Sequence, residues 1–255
     1  MLAVQRRSAT IDLLGRRRAA SVEDLASHLR VSLSTVRRDL HELEVEGLVR
    51  RVHGGAVLTS GAAPDALEPP PAAREVERRE EKQAVAEEAV TLIDPGSTLL
   101  VTGGTTTAAL LPLLAAVPDV TVVTNSLDVA HKLSAGSIDV IVLAGMLRRP
   151  EMSLLGHLVG VSIREVHVDH VLMGVYGVDP RSGALGASAQ ECETDRTLAQ
   201  SAARLTILAD GDKFARRSPH RIAGVEQISE LVTSASAPGE DVDVLRAHGI
   251  DVRVV

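Results

Sequence analysis

Residues 21–40 read Ser21-Val-Glu-Asp-Leu-Ala-Ser-His-Leu-Arg-Val-Ser-Leu-Ser-Thr-Val-Arg-Arg-Asp-Leu40, and Leu48-Val-Arg-Arg-Val-His-Gly-Gly-Ala56 closes the stretch. Ser21 followed by Asp24 forms a capping box, which predicts a short helix burying Val22, Leu25 and Leu29 on one face. Arg30 and Val31 leave room only for a tight turn before Ser32 caps a second helix. Leu33, Val36, Leu40 and Leu43 form the apolar stripe of that helix, and Gly47 is expected to end it. The opposite face carries Ser34, Arg38 and His41, with Thr35 and Arg37 on its flanks. An arginine fork matches a guanine edge, hydroxyls bond bases or phosphates, and a helix N-terminus favours phosphate, so this face suits a DNA major groove. The residues after it read as two short extended pieces around a Gly54-Gly55 bend. Such a wing would set Arg50, Arg51 and His53 beside a sugar-phosphate backbone. A solvated basic surface is the plainer alternative. Two capped helices, a tight turn, a basic face and a wing in succession favour docking on double-stranded DNA.

Charge divides the chain along the same line. Residues 1–56 hold 10 Lys and Arg against 7 Asp and Glu, whereas the remainder holds 17 against 27. Only the first part tolerates a polyanion. A length of 255 residues with 45% hydrophobic content suits one small and one medium domain. Tyr176 and Phe214 are the only Phe, Tyr or Trp residues, which disfavours single-stranded nucleic acid held by base stacking. Cys192, the one cysteine, excludes an internal disulfide, and its neighbours Glu191 and Glu193 should keep it a thiol. No apolar run reaches membrane-spanning length, so a cytoplasmic protein that binds no membrane is expected.

Outward from the DNA-docking unit (residues 1–57), residues 58–73 are rich in Ala, Pro and Gly and read as a linker. Residues 74–92 then read as one charged, apolar-periodic helix opening a domain over 74–255. Within it short apolar runs at 98–101, 120–123, 140–143, 171–175, 205–208, 231–233 and 252–255 alternate with helical patterns. This rhythm predicts an α/β domain with a mostly parallel sheet and helices on both faces. Ligands of such sheets sit at the carboxyl ends of the strands.

The first of those ends is Thr102-Gly103-Gly104-Thr105-Thr106-Thr107, before a helix expected to begin near Thr107. Its glycines, amides and hydroxyls suit a phosphate, though a plain Thr-capped turn fits equally. No lysine follows as in a nucleotide P-loop, and the dinucleotide glycine spacing is missing. Asn125 and Ser126 end the second run, Gly145 the third, and Asp210 with Lys213 the fifth. Asp210 is a sugar-hydroxyl acceptor and Lys213 a cation for the same phosphate. His167 and His170 have the spacing of a metal pair, but with only Asp169 beside them ordinary histidines of a surface loop or strand edge fit better, and neither metal nor cofactor is expected.

Along nearly its whole length the chain resembles DeoR-family transcriptional repressors. The resemblance rests on Thr35-Val-Arg-Arg-Asp-Leu40, Arg51-Val-His-Gly-Gly-Ala56, Gly104-Thr-Thr-Thr107, Val123-Thr-Asn-Ser-Leu127, Ser153-Leu-Leu-Gly156, and Asp210 with Lys213-Phe214. It implies a winged helix-turn-helix joined to a sensor domain similar to ribose-5-phosphate isomerase, which binds a phosphorylated sugar effector and acts as a homo-oligomer. The effector-binding set is then Gly103, Gly104, Thr105, Thr106, Thr107, Asn125, Ser126, Gly145, Asp179, Glu191, Asp210 and Lys213. The chain departs from the family pattern at Ala144, Asp195 and Asp212, and Pro112 should kink the helix after the phosphate turn. An isomerase-like enzyme fused to a DNA-binding unit is the alternative, with Asp179 and Glu191 as its only candidate acid-base groups.

Overall fold

The computed structural model describes residues 6–7, 9–11, 13–14, 19–45, 49–52, 54–58, 71–149 and 151–255. They divide into two compact units, residues 1–73 and 74–255. The first unit packs helices α1 (Val22–Leu29) and α2 (Leu33–Val45) and a helical stretch among residues 6–14 against a sheet of order β1-β3-β2. Its strands are β1 (Ala19–Ser21), β2 (Val49–Val52) and β3 (Gly55–Leu58), all antiparallel. Ser21 caps α1 by accepting the Asp24 N–H at 3.0 Å. Arg30 takes the left-handed conformation at φ 54°, turning the chain tightly into Ser32, whose Oγ accepts the Thr35 N–H at 3.2 Å. Leu14, Leu25, Val36, Leu40, Leu43 and Val49 fill the core.

Leu33 departs from the expected stripe, being 41% exposed. Helical side chains lean toward the N-terminus, so the first residue of α2 projects past the end of its own helix instead of onto α1. Gly47 and His53 lie outside the described residues.

The second unit carries a seven-stranded parallel sheet of order β15-β14-β12-β9-β4-β5-β6. The strands are β4 (Thr98–Val101), β5 (Thr121–Thr124), β6 (Asp139–Val142), β9 (His170–Gly174), β12 (Arg204–Ala209), β14 (Glu230–Thr233) and β15 (Asp251–Val254). Each falls within a residue or so of an apolar run in the sequence. Alternation divides their side chains between two cores. Leu99, Val101, Leu172, Leu208 and Val232 face α4 (Arg79–Val90), α5 (Thr105–Leu110) and α6 (Leu127–Leu133). Leu100, Val171, Met173, Ile207 and Leu231 face α7 (His157–Ile163), α8 (Ala189–Ala199) and α9 (Gly239–Ala247).

Other details correct the sequence reading. The helix expected over 74–92 is two, α3 (Pro71–Val76) and α4, because Arg78 takes a left-handed conformation at φ 50°. The linker drawn over 58–73 loses both ends, since Leu58 pairs with Val49 in the wing and α3 opens at Pro71. Helix α5 begins at Thr105, two residues early, and ends at Leu110. Pro112 stands in the first turn of a 3-10 helix, Leu111–Ala116, where its missing donor is harmless, so the chain changes helix type instead of kinking. Two pieces without long apolar runs went unforeseen: the hairpin of β7 (Met146–Arg148) and β8 (Ser153–Leu155), and a small antiparallel sheet of β10 (Gly177–Asp179), β11 (Gly183–Leu185) and β13 (Arg221–Ala223).

Candidate DNA-contacting and effector sites

On α2 the residues singled out for DNA stand as the helical period requires. Ser34, Arg37, Arg38 and His41 are exposed, Thr35 is half-buried, and the buried stripe lies behind them. The Ser32 hydroxyl lies 2.9 Å from that of Ser34 and 2.8 Å from that of Thr35, besides capping the helix. Arg38 Nε reaches Glu42 at only 3.4 Å and is 82% exposed, so its fork is available to a base edge. Arg50 and Arg51 are exposed on β2, and the Arg51 N–H bonds Glu44 at 3.2 Å. One support was missed. Asp39, 2% exposed, takes Arg6 Nε and Nη2 at 2.5 and 2.9 Å, a two-pronged clamp that fixes the back of α2.

In the second unit the turn after β4 lies against the end of β5. A Cβ on Gly103 would stand 3.1 Å from Ser126 Oγ, and Gly104 has φ +136°, so both positions restrict side chains. Thr106 and Thr107 are buried, and Thr107 Oγ1 donates to the Gly104 carbonyl at 2.9 Å. Ser126 Oγ caps α6 by accepting the Val129 N–H at 3.3 Å. Asn125, 3% exposed, donates to the Leu154 carbonyl at 3.1 Å while its Oδ1 has no partner among the described residues. Thr102 Oγ1 and Ser153 Oγ share that condition. Three buried polar atoms at one sheet edge thus lack partners, an arrangement costing roughly 1–3 kcal/mol apiece unless water or a ligand satisfies them.

Beside this edge Arg74, Arg78, Lys82, Lys213 and Arg216, with Thr105, Glu77, Asp210 and Asp212, line a narrow polar crevice with room for about one water molecule. Five basic side chains meet three acidic ones of the lining and two more beside it, since Arg74 also pairs with Glu151 and Arg78 with Glu81 at 2.6 Å. Lys82 is buried, its Nζ donating to the Arg74 and Glu77 carbonyls, and burial pulls its pKa below the ordinary lysine value. Arg74 grips Glu151 at 2.5 and 2.7 Å. Asp210 caps the turn before Lys213 by accepting the Asp212 N–H at 3.2 Å. Asp212 itself takes Arg78 Nη2 at 2.9 Å, so the extra anion next to Lys213 is offset within the crevice. Lys213 is 6% exposed, and Arg216 lies over the Tyr176 ring at 5.2 Å. Arg74, Arg78, Lys82 and Arg216 escaped the sequence reading. The recurrence of three of them at four-residue intervals was the available signal, masked by the surrounding glutamates.

Other expected members are engaged elsewhere. Asp179 Oδ1 accepts the Arg181 N–H, the Ser182 N–H and the Ser182 hydroxyl at 3.0, 2.8 and 2.8 Å, closing the β10–β11 turn, and these bonds hold its carboxyl below the usual range. Glu191 pairs with Arg148 at 2.6 Å and accepts the Ser188 hydroxyl at 3.2 Å. A Cβ on Gly145 would meet Leu154 Cβ and Val159 Cγ2, each at 2.9 Å, so that glycine serves packing. The Cys192 thiol is pushed up to about 11, chiefly by burial and next by Asp195, with Glu191 adding to it as expected and Glu193 not among the causes. Its Sγ fills the place of a Cβ on Gly186, 2.2 Å away. His167 is exposed beside Asp169 at 3.3 Å, whereas His170 is buried with Nε2 2.7 Å from Thr206 Oγ1, so the two rings do not converge.

A winged helix with an exposed arginine face, carried on the same chain as a parallel α/β unit with a cluster of charged side chains and open polar atoms at its carboxyl edge, defines a ligand-responsive DNA-binding regulator. The pattern of the DeoR-like helix-turn-helix domain matches residues 6–61, and that of the DeoR C terminal sensor domain matches residues 77–235. The chain belongs to the DeoR family of transcriptional regulators. It is 30% identical over 252 residues to a protein of Escherichia coli O157:H7 described as an aga operon transcriptional repressor, covering 98% of this chain and 93% of that one. The glycerol-3-phosphate regulon repressor of Escherichia coli K12 is 30% identical over 255 residues, covering all of both chains. Among solved structures, ribose 5-phosphate isomerase A from Methanocaldococcus jannaschii aligns with a TM-score of 0.42 at 17% identity, over 54% of this chain and 55% of that one. Among the described residues no helix is long and apolar enough to cross a membrane.

Proposed function

We propose that the chain represses a carbohydrate-metabolism operon by binding operator DNA as a homo-oligomer in the cytoplasm, and that a phosphorylated sugar at the carboxyl edge of its sheet modulates that binding. The observation that carries the reading is the clustering of Arg74, Arg78, Lys82, Lys213 and Arg216 around Thr105, the first residue of α5. A phosphate seated from Gly103 to Thr107 would gain amides, hydroxyls and the Lys213 ammonium together. The unpartnered Thr102, Asn125 and Ser153 oxygens offer bonds to the sugar hydroxyls. The glycerol-3-phosphate regulon repressor's name associates a relative with a small phosphorylated polyol, in keeping with this chemistry. The Asp179 and Glu191 carboxylates are engaged by a turn and by Arg148, which supports a sensor rather than an isomerase.

Binding of sugar phosphates, measured against the matching unphosphorylated sugars by calorimetry, tests the sensor. A preference for the phosphorylated form with no turnover is expected, and equal or absent binding of both would refute it. The DNA face is tested by mobility shifts on matched and mismatched operators at two salt concentrations. Arg38→Ala should cost about 1–3 kcal/mol on the matched site alone, whereas Arg50→Ala should weaken every sequence and flatten the salt dependence by about one phosphate contact.

A further inference from the structure

Helix α3 is held in place by polar contacts. Of its described side chains only Arg74 is buried, while Glu75 and Val76 are exposed. A helix of six residues does not hold itself together in water, so α3 depends on what grips it. Two grips are in place. Arg74 pairs with Glu151 at 2.5 Å. Lys82, in the first turn of α4, reaches back across the joint at Arg78 and donates from Nζ to the Arg74 carbonyl in the last turn of α3, and to the Glu77 carbonyl at 2.7 Å. This ammonium is the C-terminal cap of α3, since it satisfies carbonyls that a helix end leaves open.

Lys82 is itself only 5% exposed, and two of its three N–H groups have partners among the described residues. The third is left over in a place where an anion is expected. Lys82 lines the narrow crevice together with Thr105 and Lys213. Lys82 and Thr105 also border a cleft of about 340 Å³ walled by α3, α4 and α5, which has ample room for a phosphate. An anion can thus reach Thr105 from the cleft without parting the ion pairs of the crevice.

We propose that Lys82 relays effector binding to α3: a phosphate beside Thr105 accepts its third N–H and thereby fixes the two carbonyls that the same ammonium holds. The relay presupposes a phosphate at this edge of the sheet and adds a direction, in that binding orders α3. Electrostatics sets that sign. Asp210 and Glu77 favour the charged form of Lys82, Arg74 and Arg216 oppose it, and burial outweighs them all. An added anion strengthens the charged form, and with it both carbonyl bonds. The boundary between the two units falls inside α3, after Ala73. Its order is therefore a property of the segment that tethers the DNA-binding unit.

Hydrogen exchange on the full chain tests the relay, with inorganic phosphate and glycerol 3-phosphate as the anions, glycerol as the neutral control, and calorimetry to show which of them binds. In the native protein a bound anion should slow exchange in the peptide covering residues 71–78 about threefold or more, the gain of a strengthened helix cap, and leave α9 unchanged. Lys82→Met should exchange faster there without ligand and lose the slowing at saturating anion. If Lys82→Met does not fold, Glu151→Ala answers in its place. With the Arg74 grip gone α3 leans on Lys82 alone, so its exchange should be faster without anion and its slowing by the anion larger than in the native chain. A slowing no larger than native would overturn the relay. So would a bound anion that leaves α3 unchanged or quickens its exchange, or a slowing that persists in Lys82→Met and so comes from the cleft wall, and in each case the sensor still stands. If neither anion binds, the sensor reading falls and the relay falls with it.

Discussion

The two ends of the parallel sheet are built from similar residues in opposite ways. At the amino end of β9, β12 and β14, Thr206 donates to Glu230 at 2.7 Å and lies 2.7 Å from His170 Nε2, while Arg204 bonds Glu230 at 2.8 Å and reaches Asp94 at 3.4 Å. Since the Thr206 hydroxyl gives its proton to Glu230, His170 must donate through Nε2, and burial holds it neutral at a pKa of about 4. In that chain only His170 Nδ1 lacks a partner. At the carboxyl end, Thr102, Asn125 and Ser153 keep unpartnered oxygens beside a cluster of basic and acidic side chains. A polar group that closes a network stabilises the fold, and one left open in a buried edge lowers stability in return for recognition.

Lys213→Met should lower affinity for a sugar phosphate by about 30- to 150-fold, some 2–3 kcal/mol, because a charge-assisted bond in a buried site is lost. Calorimetry with the unphosphorylated sugar should show no such change, and an equal loss for both sugars would erase the distinction between the ends. Glu230→Gln, at the closed end, should instead cost about 1–2 kcal/mol in urea unfolding by breaking the Thr206 and Arg204 contacts, with ligand affinity intact.

A pH dependence sharpens the contrast. Burial first, and Glu191 next, push the Asp195 carboxyl up to about 7. Its unfolded value is near 4, so its contribution to stability is fully present below about pH 4 and is lost as pH rises through 7. Asp195 keeps part of its solvent contact. Asp195→Asn should therefore gain only about 1–2 kcal/mol at pH 8, and nothing at pH 4, in parallel urea titrations. The smallest effect belongs to Thr102→Val. Removing an unpartnered hydroxyl should leave the unliganded fold unchanged or up to about 1 kcal/mol more stable, while weakening the sugar phosphate about fivefold. A clear loss of stability would mean that the hydroxyl is already satisfied.

The sheet was legible because each of its seven strands is an apolar run in the sequence, and Thr98–Val101 stands where its run does. The β7–β8 hairpin and the β10-β11-β13 sheet were not, since their three-residue strands carry no period long enough to read. Within the candidate site, Gly103, Thr105 and Lys213 follow from the rule that ligands lie beyond strand ends. Asp179 misled for the same reason: a carboxylate closing a turn and one awaiting a hydroxyl look alike until its bonds are drawn. Arg78 was hidden because its left-handed backbone and its reach to Asp212, 134 positions away, are tertiary facts.

The wing has an inner neighbour that precedes the first capped helix in the chain. Strand β1 pairs with β3 from Ala19 to Ser21, and a Cβ on Gly55 would fall 2.2 Å from the Ala20 carbonyl oxygen, so the two backbones are in close contact. A chain trimmed to begin at Val22 would retain the whole recognition helix and both arginines of β2, yet leave β2 and β3 as a lone ribbon, which is marginal in water. Minimal DNA-reading fragments of this protein therefore have to begin before Ala19, although every residue expected to touch DNA comes later.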